Sequence, residues 1–140
     1  MALKVERVDT WVAGLKDRPS SLAGEFSALS SAGVNLGFVI ARRAPEKPGT
    51  GVVFVAPIRG AAGSRAARDA GFQKTKSLIT VRVEGPDKRG QGTKMTQALA
   101  KAGLNLRGLS AAGFGGKFVS YVAFDTAAEA GKAVRILRAL

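Results

Sequence analysis

The chain has 140 residues, 46% hydrophobic and 23% charged, a composition expected of a folded globular protein. It contains no cysteine and no histidine, which excludes disulfides, thiol nucleophiles, Cys/His metal sites and histidine acid–base catalysis. Its 22 basic and 10 acidic residues leave a formal charge of +12, which favours anionic partners: nucleic acid, acidic small molecules or anionic lipid.

The opening MALKVERV has neither the apolar stretch nor the cleavage pattern of a signal peptide. No apolar run approaches the ~20 residues needed to span a bilayer, so no membrane association and a cytoplasmic location are expected. LKVERVDTWVAGL reads as one strand, with Val5, Val8 and Val12 among polar residues. KDRPSS is a turn, with Pro19 suited to a first helical turn and Ser20 or Ser21 as cap. Leu22, Phe26 and Leu29 then fall at helical spacing and form one apolar stripe. Gly33 ends that helix as a left-handed residue. VNLGFVIA is the next strand, RRAPEKPGTG a hairpin connection and GVVFVAP a buried strand. GSRAARDAGF is a short helix closed by Gly71.

The same order returns. SLITVRVEG is a strand, PDKRGQGTK a turn, and MTQALAKAG a helix that turns Met95, Ala98, Leu99 and Ala102 to one side. LNLRGLSA is a strand, AAGFGG a bend and KFVSYVAF a strand. AAEAGKAVRILRAL is a closing helix with Val134 and Leu137 inward. The recurrence is also literal: AGVNL at 32–36 reappears as AGLNL at 102–106, a shift of 70 residues. Under that shift Asp17 meets Asp87, Leu29 meets Leu99 and Asn35 meets Asn105. The chain is therefore an internal repeat of strand–helix–strand–strand–helix. A fourth strand for the first half comes from FQKTKSL. The second half has no residues left for its own, so strands must be exchanged between halves or sheets joined at their edges.

Gly14, Leu15, Asp17, Arg18, Pro19, Leu22, Leu29, Gly33, Val34, Asn35 and Leu36 together resemble the ACT domain family. The second copy matches at Gly85, Asp87, Leu99, Gly103, Leu104, Asn105 and Leu106, but has Arg89 where a proline is usual and Gly92 where a helix leucine is usual. The resemblance implies an α+β fold: tandem ferredoxin-like βαββαβ repeats, with antiparallel sheets backed by helices. It implies an ACT-like domain at 1–74 and another at 75–140, the final strand exchanged or shared. It also implies a non-catalytic regulatory module that binds an amino acid at an interface between domains or subunits. The ligand residues so implied are Gly14, Leu15, Asp17 and Asn35, with Gly85, Asp87 and Asn105 as their counterparts. A homodimer is expected because unpaired sheet edges and an open apolar face need covering, and any regulation must pass through a separate protein partner or through the chain's own assembly.

The chemistry of these residues has its own logic. Free N–H groups at a helix start hold a carboxylate, an aspartate accepts from an ammonium, and an asparagine offers donor and acceptor. The structural alternative is equally concrete: the asparagines satisfy turn backbone and the aspartates order their loops. KFVSYVAF resembles an RNA-recognition strand, but one tyrosine is a poor base-stacking platform, so Phe118 and Phe124 read as core. GPDKRGQGTK and GFGGK complete no phosphate-binding loop. No catalytic residue, cofactor or metal is expected. A nucleic-acid-binding protein with a basic surface, and an interaction module with degenerate pockets, are the alternatives.

Overall fold

The computed structural model describes residues 3–76 and 78–140. The expected first strand is two strands, β1 (Lys4–Val8) and β2 (Trp11–Lys16), in different sheets. The reason is visible in the alternation. Val5, Trp11 and Ala13 are buried at odd positions, but Arg7 and Asp9 are charged and exposed at the odd positions between. A continuous strand would turn those two charges toward an apolar core, which is costly.

The chain forms two compact units: Asp9–Thr75, and β1 with Lys76–Leu140. In the first, β2 is followed by α1 (Ser21–Ser31), β3 (Phe38–Arg43), β4 (Thr50–Ala56), α2 (Gly60–Asp69) and β5 (Gln73–Lys74). Its antiparallel sheet runs β3-β4-β2-β5, so FQKTKSL does supply the fourth strand. Trp11, Ala13, Leu29, Val53, Val55, Ala67 and Phe72 make its core.

The second unit follows the same plan with β6 (Ile79–Pro86), α3 (Gln91–Lys101), β7 (Gly108–Phe114), β8 (Lys117–Phe124) and α4 (Ala127–Arg138). Its sheet runs β1-β6-β8-β7, and β1 is the missing fourth strand, with Val5 opposite Val83. The units thus differ from the expected halves 1–74 and 75–140 by β1: the exchanged strand is the first of the chain. Leu3 and Val5 enter a core with Val81, Val83, Leu99, Val122, Phe124 and Leu137. The Arg138 guanidinium donates two bonds to the Val5 carbonyl, at 3.1 and 2.8 Å, and fastens the end of α4 to β1.

Each unit is a ferredoxin-like α+β fold of ACT type, an antiparallel sheet backed by two helices. α4 is capped by Thr126, whose hydroxyl accepts from the Glu129 N–H at 3.1 Å. The segment AAGF, expected to bend, belongs to β7, and the bend is only Gly115–Gly116, both at positive φ. Such a pair closes a two-residue hairpin without strain. Among the described residues no helix is long and apolar enough to cross a membrane.

Candidate functional site

The two strand-to-helix loops are built alike. The Asp17 N–H donates to the Gly49 carbonyl and the Asp87 N–H to the Gly116 carbonyl, each at 3.0 Å. Both following helices start from a left-handed residue, Ser20 at φ 77° and Gly90 at φ 87°, and neither has a side-chain cap. The expected serine cap on α1 is therefore in position but makes no capping bond. In α3 the Gln91 N–H reaches the Lys88 carbonyl at 3.2 Å and the Lys94 N–H reaches that of Gly90 at 2.9 Å. The N–H groups of Gly92 and Thr93, between them, have no acceptor within the helix. The start of α3 carries partial positive charge, and an anion is favoured there.

Beyond this shared frame the units diverge. In the first, Arg43 at the end of β3 pairs with the Asp17 carboxylate at 2.9 Å. The matching residue on β7 is Gly113, and a Cβ placed there would lie 3.0 Å from Asp87 Oδ2. Asp87 has no ion pair among the described residues.

A cleft of ≈ 280 Å³ opens beside Asp87. Its mouth is Asp87, Lys88, Gly90, Gln91 and Gly92; its walls are Met95 on α3, Leu109, Ala111 and Gly113 on β7, and Phe118 and Ser120 on β8. The Gln91 side chain donates to the Pro86 carbonyl at 3.1 Å and holds the loop against the helix. The first unit has Leu22 where the cleft has Gly92, Glu25 for Met95 and Val53 for Ser120. Leu22 packs on its core and Val53 is wholly buried. Glu25 is half-buried, one carboxylate oxygen lacks a hydrogen-bond partner, and burial raises its pKa above the ordinary carboxylate value.

Of the ligand residues that the resemblance implies, Asp87 alone lines this cleft. Gly14 sits in β2 opposite Val52, Leu15 opposite Gly51, and Gly85 in β6 opposite Phe118. Asp17 is held by Arg43. Asn35 and Asn105 are exposed in the connections that follow α1 and α3, whereas Asp17 and Asp87 precede those helices. An 11-residue helix is about 16 Å long, so within a unit the asparagine and the aspartate are not brought together. Ser120 and Gly113 were not singled out as site residues. The ungapped repeat pairs Gly113 with Arg43 and would have exposed that exchange. Ser120 was masked, because the connection 44–49 is longer than Gly115–Gly116 and shifts the register beyond it.

The first unit has an open groove of ≈ 620 Å³ beside α2, with Arg65, Arg68 and Lys74 on its lining. Two of these cations are engaged: Arg68 and Lys74 lie 5.6 and 5.8 Å from the centre of the Trp11 ring, and Lys74 is 3.5 Å from Asp9. Among the described residues no group of three or more Asp or Glu side chains is placed to hold a metal ion.

No protein-family model and no curated protein sequence matches the chain. Solved structures do. A Bacteroides thetaiotaomicron protein is similar at TM-score 0.78 and 12% identity, over 94% of this chain and 88% of that one. The ligand-free regulatory subunit of aspartate kinase from Thermus thermophilus matches at 0.66 and 19%, over 98% and 95%. The corresponding Thermus flavus subunit matches at 0.60 and 18%, with the same coverage. At these identities the likeness is one of fold: the chain has the two-unit, ACT-like architecture of those regulatory subunits.

Proposed function

We propose that the chain is a non-catalytic regulatory module that binds a small amino acid in the cleft of the second unit. One observation carries this: Asp87, freed of the arginine that holds its counterpart, faces a cleft that opens at an uncapped helix start. The unsatisfied N–H groups of α3 and the Lys88 ammonium receive the ligand carboxylate. The Asp87 carboxylate receives its ammonium, and Met95, Leu109 and Phe118 take its side chain. Proteins of the same fold include regulatory subunits of aspartate kinase, which supports a regulatory role. Ligand binding acts by favouring one arrangement of the chain, or of its complex with a protein partner, over another.

The end strands β3 and β7 leave sheet edges, and Leu109 and Phe114 are 47% and 79% exposed. Pairing with a second copy is the natural cover for such edges. Calorimetric titration of the whole chain against the common amino acids tests the main reading. Saturable binding at one site per chain, weakened about tenfold or more by Asp87→Asn, is expected. No heat from any amino acid, with nucleic-acid binding that falls steeply with salt, would replace it with the nucleic-acid reading.

A further inference from the structure

Along β8 the residues Phe118, Val122 and Phe124 face the helices and join the core. Ser120 shares their face, since side chains alternate along a strand. It is 2% exposed, and its hydroxyl has no hydrogen-bond partner. A buried hydroxyl without a partner is unfavourable, and few are found in folded proteins. The neighbours explain why none reaches it: Val83 stands opposite on β6 and Ala111 opposite on β7, and neither side chain bonds. At the same sheet position in the first unit, between Ala13 and Ala41, stands Val53, buried in the core. A valine is thus what this fold accepts there when the site is closed. Serine occurs where the position lines a cleft.

We infer that Ser120 is the specificity-determining residue of this cleft, selecting a ligand whose side chain carries a short hydroxyl or amide group over its aliphatic isostere. The inference rests on the amino-acid reading above and deepens it. The start of α3 and Asp87 fix the charged end of the ligand at the mouth. The arm then enters between Met95, Leu109 and Phe118, toward Ser120, which lines the cleft and whose buried Oγ has no partner. An aliphatic arm leaves that atom unpaired; a hydroxyl or amide pairs it. Sites that hydrogen-bond a ligand group discriminate against analogues lacking it, more strongly than apolar walls discriminate between methylenes.

The test uses shape-matched pairs, threonine against valine and asparagine against leucine, titrated calorimetrically into the whole chain and into Ser120→Ala. The best binder is expected to carry the polar side chain and to bind about tenfold more tightly than its isostere. In Ser120→Ala that ratio collapses toward one while the aliphatic member binds as before. A thermal melt confirms that the variant is folded, and Ser120→Thr, which keeps a hydroxyl, retains a preference for the polar member. Equal affinity within each pair overturns the inference, as does a preference that survives Ser120→Ala. Those results leave the amino-acid reading standing, whereas absence of binding by every amino acid removes both.

Discussion

Leu15 lies opposite Gly51 in the first unit; at the matching place in the second, Gly85 lies opposite Phe118. A Cβ on Gly51 would come 2.9 Å from the Arg42 carbonyl oxygen and 3.0 Å from Leu15 Cδ1, and one on Gly85 would come 2.6 Å from Leu3 Cδ2 and 2.9 Å from Phe118 Cε1. The large and the small residue have changed strands, and the space between sheet and helix stays filled. The exchanges around the cleft are of another kind. Leu22, Arg43 and Val53 are matched by Gly92, Gly113 and Ser120, all smaller, and although Val39 and Glu25 are matched by the larger Leu109 and Met95, the cleft stays open. Conserved volume keeps a core, while volume lost and only partly replaced leaves a cavity. One scaffold shows both outcomes.

The strongest probe of the shared plan is its paired leucines. Leu29→Ala and Leu99→Ala each remove a side chain at most 1% exposed, and each is expected to cost about 3–5 kcal/mol in denaturant unfolding. A cost below about 1 kcal/mol for either would deny that the two cores are equivalent. Next comes the size swap. Gly85→Leu is expected to destabilise by about 1–3 kcal/mol through overpacking against Leu3 and Phe118, and adding Phe118→Gly should recover the part owed to Phe118. An additive double variant would show that the cross-strand exchange is coincidental.

Gly113→Arg copies Arg43 into the second unit. It is expected to pair with Asp87, close the cleft mouth and weaken amino-acid binding about tenfold or more. Stability should change by less than about 1 kcal/mol. Undiminished binding would move the ligand away from Asp87.

Two glutamates give smaller effects of opposite sign with pH. Burial raises the Glu25 pKa, so the folded chain holds that proton more tightly than the unfolded one. Its contribution to stability therefore falls as pH rises through the window above the ordinary value of 4.5, and Glu25→Gln should remove that fall. The hydrogen bond and charge of Arg82 lower the Glu84 pKa. Its contribution is complete above the ordinary value and is lost as pH falls through the lowered one, and Glu84→Gln should remove that loss. Denaturant midpoints across the acid range read both slopes. Least of all, Asp17→Asn breaks a pair whose side chains are 83% and 37% exposed, and should cost under about 1 kcal/mol by the same unfolding assay.

Much of the fold was legible because its signals are local. Gly33 and Gly103 end their helices at φ 82° and 76°, where a missing Cβ removes the steric cost, and both stood in the repeated pentapeptide. The apolar spacing of Leu22, Phe26 and Leu29 was as plain. The break at Asp9–Thr10 shows only in the charges of Arg7 and Asp9, since Val5 and Trp11 each fit a strand and only the partner decides which sheet receives them. The site was less legible still. Asp87 was named for its loop, but its freedom depends on Gly113, a residue of the neighbouring strand pair. Ser120 looked like one polar residue in a core strand. Its meaning rests on Val53 at the matching sheet position, which the unequal hairpins hide from an ungapped alignment.

The pairing of β1 with β6 also sets an order of events during synthesis. Val5 is made 78 residues before its partner Val83. At an elongation rate of about 5–20 residues per second the wait is on the order of 4–16 s, during which β1 has no partner strand to join. A circularly permuted chain that carries residues 3–8 after Leu140 would abolish the wait while keeping every strand in its place.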